Sequence, residues 1–244
     1  MFAYWFLKSE RERWIYDRLV REIGRRAEAI GLPAASEEEI ACVIRAVLTD
    51  NPQLFWFEGR AAVDRDAERV LLQPVYLYDE DSIRRGQAQA ERIAADLARL
   101  GSGGGYEGAK AAFDWLLDNV SYAPGAGGQN LYTALVERRA VCKGLSKAYQ
   151  FLLSRLGLFS TLAYGTIDGA ARHVWNVVQI GNDYYNVDVS LGYPLFDPLF
   201  KAGAGGDRYR TFLKSDASFG ATHRLTDPEA PHLPCRKDYS REAE

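Results

Sequence analysis

One cysteine stands at the head of a stretch that can only be a buried helix. From Cys142 the chain reads CKGLSKAYQFLLSRLG, and Leu145, Ala148, Tyr149, Leu152, Leu153 and Leu156 recur at three- and four-residue spacing. That is one continuous apolar helical face, and Gly157 supplies the stop. The residues before the cysteine, Arg139-Ala140-Val141, include none of the usual N-cap side chains. The first N–H groups of the helix and its positive dipole end are therefore free to face a thiolate. Such a setting lowers a thiol pKa from about 8.5 to roughly 3.5–7.5. Gly144 leaves the approach to the sulfur open. Taken alone, a packed structural cysteine is the simpler reading of Cys142.

Two residues downstream change that reading. The run from Thr161 to Ile167 has β character, and Asp168-Gly169 marks a turn. His173 then opens a strand-like run to Ile180, and Tyr184 to Val189 forms another. Gly181-Asn182 between them reads as a two-residue hairpin turn. That register places His173 opposite Ser190, with Asp188 one diagonal step away on the same face. A slip of one residue would put the two on opposite faces. A thiol, an imidazole and a carboxylate in this order are what a nucleophile, its base and the orienter of the base require. An acyl-transfer site also needs two oxyanion donors. The Cys142 backbone N–H is one by position, and Gln129, across a short helix from Leu131 to Glu137, is the candidate for the other. Trp175, two residues beyond His173, is expected to pack beside it and keep water out.

The first hundred residues read as scaffold. Trp14, Ile15, Leu19 and Ile23 give a helix from about Ser9 to Ile30, stopped by Gly31-Leu32-Pro33. Ser36 and Glu39 form a capping box that opens a second helix ending at Asn51-Pro52. Leu54 to Glu58 and Arg69 to Tyr78 read as strands of a small hairpin, with Pro74 suggesting an edge. Glu80 to Leu100 is a long polar helix. Gly101-Ser-Gly-Gly-Gly105 is the expected joint, which divides the chain into an N-terminal helical region with a small hairpin, 1–100, and a catalytic core, 106–244. A helix from about Tyr106 to Val120 opens that core. The glycine-bearing loops 121–128 and 201–206 are expected to line the cleft.

Composition excludes several alternatives. A net charge of −3 lacks the basic footprint of nucleic-acid binding. No apolar run approaches the length of a membrane span. The opening MFAYWFL is too short for a signal peptide and has no basic flank or cleavage site; extracellular placement stays open if a targeting segment has been removed. Three cysteines do not make a disulfide framework. Cys42 reads as a buried small hydrophobe and Cys235 as a tail thiol, with a bridge between them left open. His232-Leu-Pro-Cys235 has no second ligand pair at zinc spacing, and Asp79-Glu-Asp81 lacks the order of a calcium loop, so neither a metal nor another cofactor is expected. His223 and His232 read as surface or structural residues.

The block QNLYTALVERRAVCKGLSKAYQFLLSRLGL, followed by RHVWNVV and YYNVDVS, resembles the bacterial transglutaminase-like superfamily. The likeness covers roughly Tyr106 to Pro194, with a looser match at Tyr209 to Asp216 and at His223. It implies an α+β, papain-like core with the nucleophile helix packed on an antiparallel sheet. It also implies Cys142 as nucleophile, His173 as general base and Asp188 as orienter. Lys143 and Leu145 stand where many relatives carry an acid and an aromatic, which bears on substrate preference. The expected reaction is thioester chemistry on a protein or peptide substrate, cell-wall peptides included. Hydrolysis, as by a peptidase, amidase or deamidase, is favoured because water is the more abundant acceptor. The alternatives are protein crosslinking by an amine acceptor and a non-catalytic binding module of the same fold.

Overall fold

The computed structural model describes residues 2–66, 68–100, 105–125, 129–169, 171–196, 206–226 and 232–240. The chain divides into two units, Met1–Arg85 and Gly86–Glu244. Part of the expected joint (101–104) and of the expected cleft loops (126–128 and 201–205) lies outside the described residues.

In the first unit, Ser9 with Glu12 and Ser36 with Glu39 each close a capping box, opening α1 (Glu10–Gly24) and α2 (Glu37–Asp50). α1 ends earlier than its apolar periodicity suggests. Arg26 takes φ 58°, the Arg26 N–H bonds the Ile23 carbonyl and the Ala27 N–H bonds that of Glu22. This is a Schellman ending with arginine in the left-handed position that glycine usually holds. Gly31-Leu32-Pro33 is therefore not a helix stop. It belongs to β1 (Ile30–Pro33), which joins β2 (Phe57–Arg65) and β3 (Arg69–Tyr76) in a sheet of order β1-β3-β2. Pro74 thus sits in the central strand, not an edge strand. β1 stops at the Ile30–Leu72 pair, however, so Pro74 faces only Ala61 of β2 and its missing N–H is tolerated. Ile15, Leu19, Ile23, Val43, Val47, Phe57 and Leu72 are fully buried and form the core of this unit.

After α3 (Glu80–Leu100), the second unit contains α4 (Gly105–Asn119), β4 (Ser121–Tyr122), α5 (Leu131–Leu135), β5 (Arg139–Ala140) and α6 (Cys142–Arg155). Then come β6 (Ser160–Ile167), β7 (Ala171–Ile180), β8 (Asp183–Val187), α7 (Asp216–Phe219) and β9 (His223–Leu225). β4 and β5 make a short parallel ladder, and the others form an antiparallel sheet of order β8-β7-β6-β9. The fold is α+β, with α6 as its central helix. Leu145, Ala148, Tyr149, Leu152 and Leu153 have no exposed surface. Truncating any one of these leucines to alanine removes contacts worth roughly 2–5 kcal/mol. α6 is buried further round than one face: Ser146, Lys147 and Gln150 are also inside. Ser146 Oγ–H donates to the Val174 carbonyl at 3.1 Å, Asn176 Nδ2 donates to the Ser146 carbonyl at 3.1 Å, and Tyr149 O–H donates to the Ala109 carbonyl at 3.0 Å. These bonds fix α6 against β7 and α4. The helix ends as its sequence indicates: Gly157 takes φ 76°, and the Leu158 N–H returns to Leu153.

The three cysteines are free thiols, and two of them lie opposite to expectation. Cys42 is exposed on α2. Cys235 is buried against Ala163, Trp175, Val177 and Phe219, and burial pushes its thiol well above the usual range. Among the described residues, no helix is long and apolar enough to cross a membrane.

Candidate active site

The hairpin that carries the expected imidazole and carboxylate forms in the expected register. Ile180 pairs with Asp183, Val178 with Tyr185 and Asn176 with Val187, with Gly181 at φ 59° in the two-residue turn. The ladder is shorter than anticipated. β8 ends at Val187, and Ser190 lies in a 3-10 turn rather than across from His173. The turn gives Ser190 a different position: its N–H and Oγ–H both donate to Asp188 Oδ1, at 2.9 and 2.6 Å.

Asp188 is completely buried, and its other oxygen faces histidine. His173 Nε2 lies 2.6 Å from Oδ2, and His223 Nε2 lies 3.2 Å from the same atom. A carboxylate only accepts, so both imidazoles carry their proton on Nε2. Burial favours the neutral acid, but the His173 charge and the hydrogen bonds from both histidines override it and hold Asp188 well below the usual carboxylate range. For His173, burial opposes protonation. The Asp188 charge and hydrogen bond outweigh it, helped by a hydrogen bond with Cys142, and the imidazole is raised to about 10. Because Nε2 is committed to Asp188, Nδ1 is the nitrogen left for the sulfur.

Cys142 occupies the first position of α6, half-buried, and Val141 before it provides no side-chain cap. The Tyr122 phenol lies beside this helix end, near both Cys142 and Asp188. Burial and the neighbouring Cys142 and Asp188 push the Tyr122 phenol up. The β4–β5 ladder pairs Tyr122 with Ala140, two residues before the cysteine, and the Tyr122 ring packs against Phe196 at 4.8 Å. Gly144 is buried in the first turn of α6. Trp175 is buried, with its ring 6.4 Å from that of His173 and inclined by 22°. Its Nε1–H donates to Asn186 Oδ1 at 2.9 Å. Gln129 is half-buried immediately before Asn130, the N-cap of α5.

Cys142, His173, Asp188 and Trp175 are thus brought together, while His223 and Tyr122 join them without having been singled out as site residues. His223 is buried rather than a surface residue, with Nε2 3.2 Å from Asp188 Oδ2. It reaches the site because β9 pairs with β6, aligning His223 with Ile167 and Leu225 with Gly165, a pairing over more than fifty residues that local periodicity does not encode. Gly165 also pairs with His173 on its other side. A Cβ there would lie 2.0 Å from the Arg224 carbonyl oxygen and 2.8 Å from the Trp175 ring, so only glycine lets β9 close on the site. His173, Asp188 and His223 are also of metal-ligating type, their donor atoms lying within 4.8 Å of one another. Asp188 Oδ2 lies 2.6 Å from His173 Nε2 and 3.2 Å from His223 Nε2.

Residues 91–189 match the family model described as Transglutaminase-like superfamily, the same resemblance the motifs carry. No curated protein matches the chain. One similar solved structure is described as a TGase, at 10% identity and a TM-score of 0.42, covering 54% of this chain and 44% of that one. A second is described as a "Putative Cysteine Protease from Cytophaga hutchinsonii", at 15% identity and a TM-score of 0.38, covering 56% and 63%. A third, described as a "putative protease" from Parabacteroides distasonis, has 11% identity and a TM-score of 0.33, covering 54% and 39%. The chain therefore spans less than two thirds of each of these proteins.

Proposed function

We propose that this chain performs cysteine-dependent amide chemistry through a thioester acyl-enzyme, with hydrolysis of a peptide or glutamine amide as the overall reaction. The observation that carries this reading is the buried His173–Asp188 pair, 2.6 Å apart, with Cys142, at the start of α6, close enough to help raise the imidazole. A protonated imidazole beside a sulfur at a helix N-terminus favours the thiolate, which is the reactive form.

Cys142 Sγ attacks the carbonyl carbon, and the carbonyl oxygen becomes an oxyanion at the α6 N-terminus. The Cys142 N–H is one proposed donor to that oxygen, and Gln129 is the proposed second. As the C–N bond breaks, His173 gives its Nδ1 proton to the leaving amine. The acyl group stays on sulfur. Water then attacks the thioester while His173 takes its proton, releasing a carboxylic acid and restoring the thiol. Asp188 keeps Nε2 protonated throughout and thereby holds Nδ1 toward the sulfur. Trp175 covers one side of the imidazole and limits water to the acceptor path.

The test is to incubate the protein with glutamine-containing peptides, with and without a primary amine, and read products by mass spectrometry. Deamidated or cleaved peptide in both mixtures, absent with Cys142→Ala, supports hydrolysis. An amine adduct as the main product would make the enzyme a crosslinker. Products that persist with Cys142→Ala would overturn the mechanism.

A further inference from the structure

We propose that His223 is a positioning residue that sets the proton affinity of His173 through the carboxylate they share. The inference rests on the thiol–imidazole reading above and assigns the site a fourth member from the far end of the chain. Three features of its setting carry it. His223 Nε2 lies 3.2 Å from Asp188 Oδ2, the oxygen that also takes the His173 proton at 2.6 Å. Thr222 Oγ1 lies 2.9 Å from His223 Nδ1, on the side away from Asp188. Phe219 stacks on the ring at 4.2 Å, and Trp175 meets it edge-on at 5.0 Å. A ring stacked on Phe219, met by Trp175 and tethered at Nδ1 directs Nε2–H to Asp188.

The direction of the effect follows from the chemistry. A carboxylate oxygen that accepts a second N–H shares its electron density between two donors. It therefore stabilises the His173 imidazolium less than it would alone. The titratable groups facing His173 are Cys142 of α6, Asp188 after β8 and His223 of β9. Tyr122 of β4 faces Cys142 and Asp188. Among these, His223 meets His173 through the shared Asp188 oxygen and through its ring, 5.6 Å away. Removing its N–H gives Asp188 Oδ2 wholly to His173, so the His173 midpoint rises. A histidine that merely filled space would leave that midpoint where it is.

The experiment is a pH titration of the His173 ring nitrogens by nitrogen-15 NMR in the full-length chain, comparing wild type with His223→Phe, His223→Gln and Thr222→Val. Phenylalanine keeps the stacking and removes the donor, and should raise the His173 midpoint by about half a unit or more. Glutamine restores an N–H at similar reach and should return the midpoint toward wild type. Thr222→Val leaves the ring in place but loses its tether, and should shift the midpoint the same way by less. It also decides the matter if His223→Phe does not fold. An unchanged midpoint in folded His223→Phe, or in Thr222→Val where the former is unfolded, overturns the proposal. Alkylation of Cys142 by iodoacetamide is read in the same samples. If wild-type Cys142 reacts no differently from Cys142 in His173→Ala, the thiol–imidazole reading fails. The ring titration still decides the His223–Asp188–His173 coupling on its own.

Discussion

Replacing Asp188 by asparagine changes one oxygen to an amide nitrogen in a position with no access to water. Oδ1 now takes two bonds from Ser190 and Oδ2 takes one each from His173 and His223. The asparagine keeps its carbonyl toward Ser190, where two donors converge, and turns its NH2 group toward the imidazoles. Two N–H donors then face a donor. His173 can satisfy the amide only by moving its own proton from Nε2 to Nδ1, the tautomer that cannot accept a proton from sulfur. Each hydrogen bond to a charged group contributes roughly 1.5–3 kcal/mol. Two are lost, the longer at the weak end, and the tautomer change recovers part, so the net destabilisation is about 3 kcal/mol. For a unit of this size that lowers Tm by roughly 6–12 °C. The effect depends on pH. Asp188 is depressed in the folded state, so its contribution is full above the unfolded carboxylate value of about 3.9 and fades as pH falls toward the folded one. His173 is raised to about 10, so its contribution is full below the unfolded value of about 6.5 and fades as pH rises through the folded one. The gap between wild type and Asp188→Asn should be widest between about pH 4 and 6.5 and narrow on both sides. Thermal unfolding across pH reads the gap, and nitrogen-15 shifts of His173 read the tautomer. A variant that melts within a degree of wild type and keeps Nε2–H would refute the reasoning.

Cys142→Ala should abolish turnover while changing stability by less than about 1 kcal/mol, since alanine is the best helix former and the thiol is only half-buried; activity assays with thermal melts check both. Gln129→Ala should lower kcat by about a hundredfold, the usual cost of one oxyanion donor, yet leave Cys142 alkylation unchanged because alkylation forms no oxyanion. Equal losses in the two assays would point to a structural effect instead. Gly165→Ala should destabilise the second unit by more than about 2 kcal/mol, because its methyl group meets backbone at 2.0 Å. Faster amide exchange in β9 and weaker ring contacts of His223 should accompany it.

The helix, the hairpin and the placement of their three candidate side chains were legible because each depends on short-range signals. The apolar spacing in Leu145 to Leu156 sets α6, and Gly181-Asn182 sets the β7–β8 register, which in turn places Asp188 beside His173. What escaped depends on distant pairing. His223 joins the site through a three-residue strand whose partner, β6, lies far upstream. Ser190 was placed on the wrong structure because the ladder gives way to a 3-10 turn after Val187, where Asp188 needs its donors. Arg26 hid the end of α1 because a left-handed arginine has no sequence signature. Cys42 and Cys235 were read by residue type and position in the chain, whereas burial is set by which helix face and which cluster each occupies.

The central claim is that Cys142 and His173 form a thiolate–imidazolium pair, and the pH dependence of iodoacetamide alkylation at each cysteine, in wild type and His173→Ala, tests it most directly. Cys42 and Cys235 provide an exposed and a buried thiol in the same chain for comparison. The account predicts that Cys142 alone is alkylated rapidly well below the pH at which Cys42 reacts, and that His173→Ala removes this advantage. A Cys142 that follows Cys42, or that is unchanged in His173→Ala, would contradict it and leave the fold as a binding module.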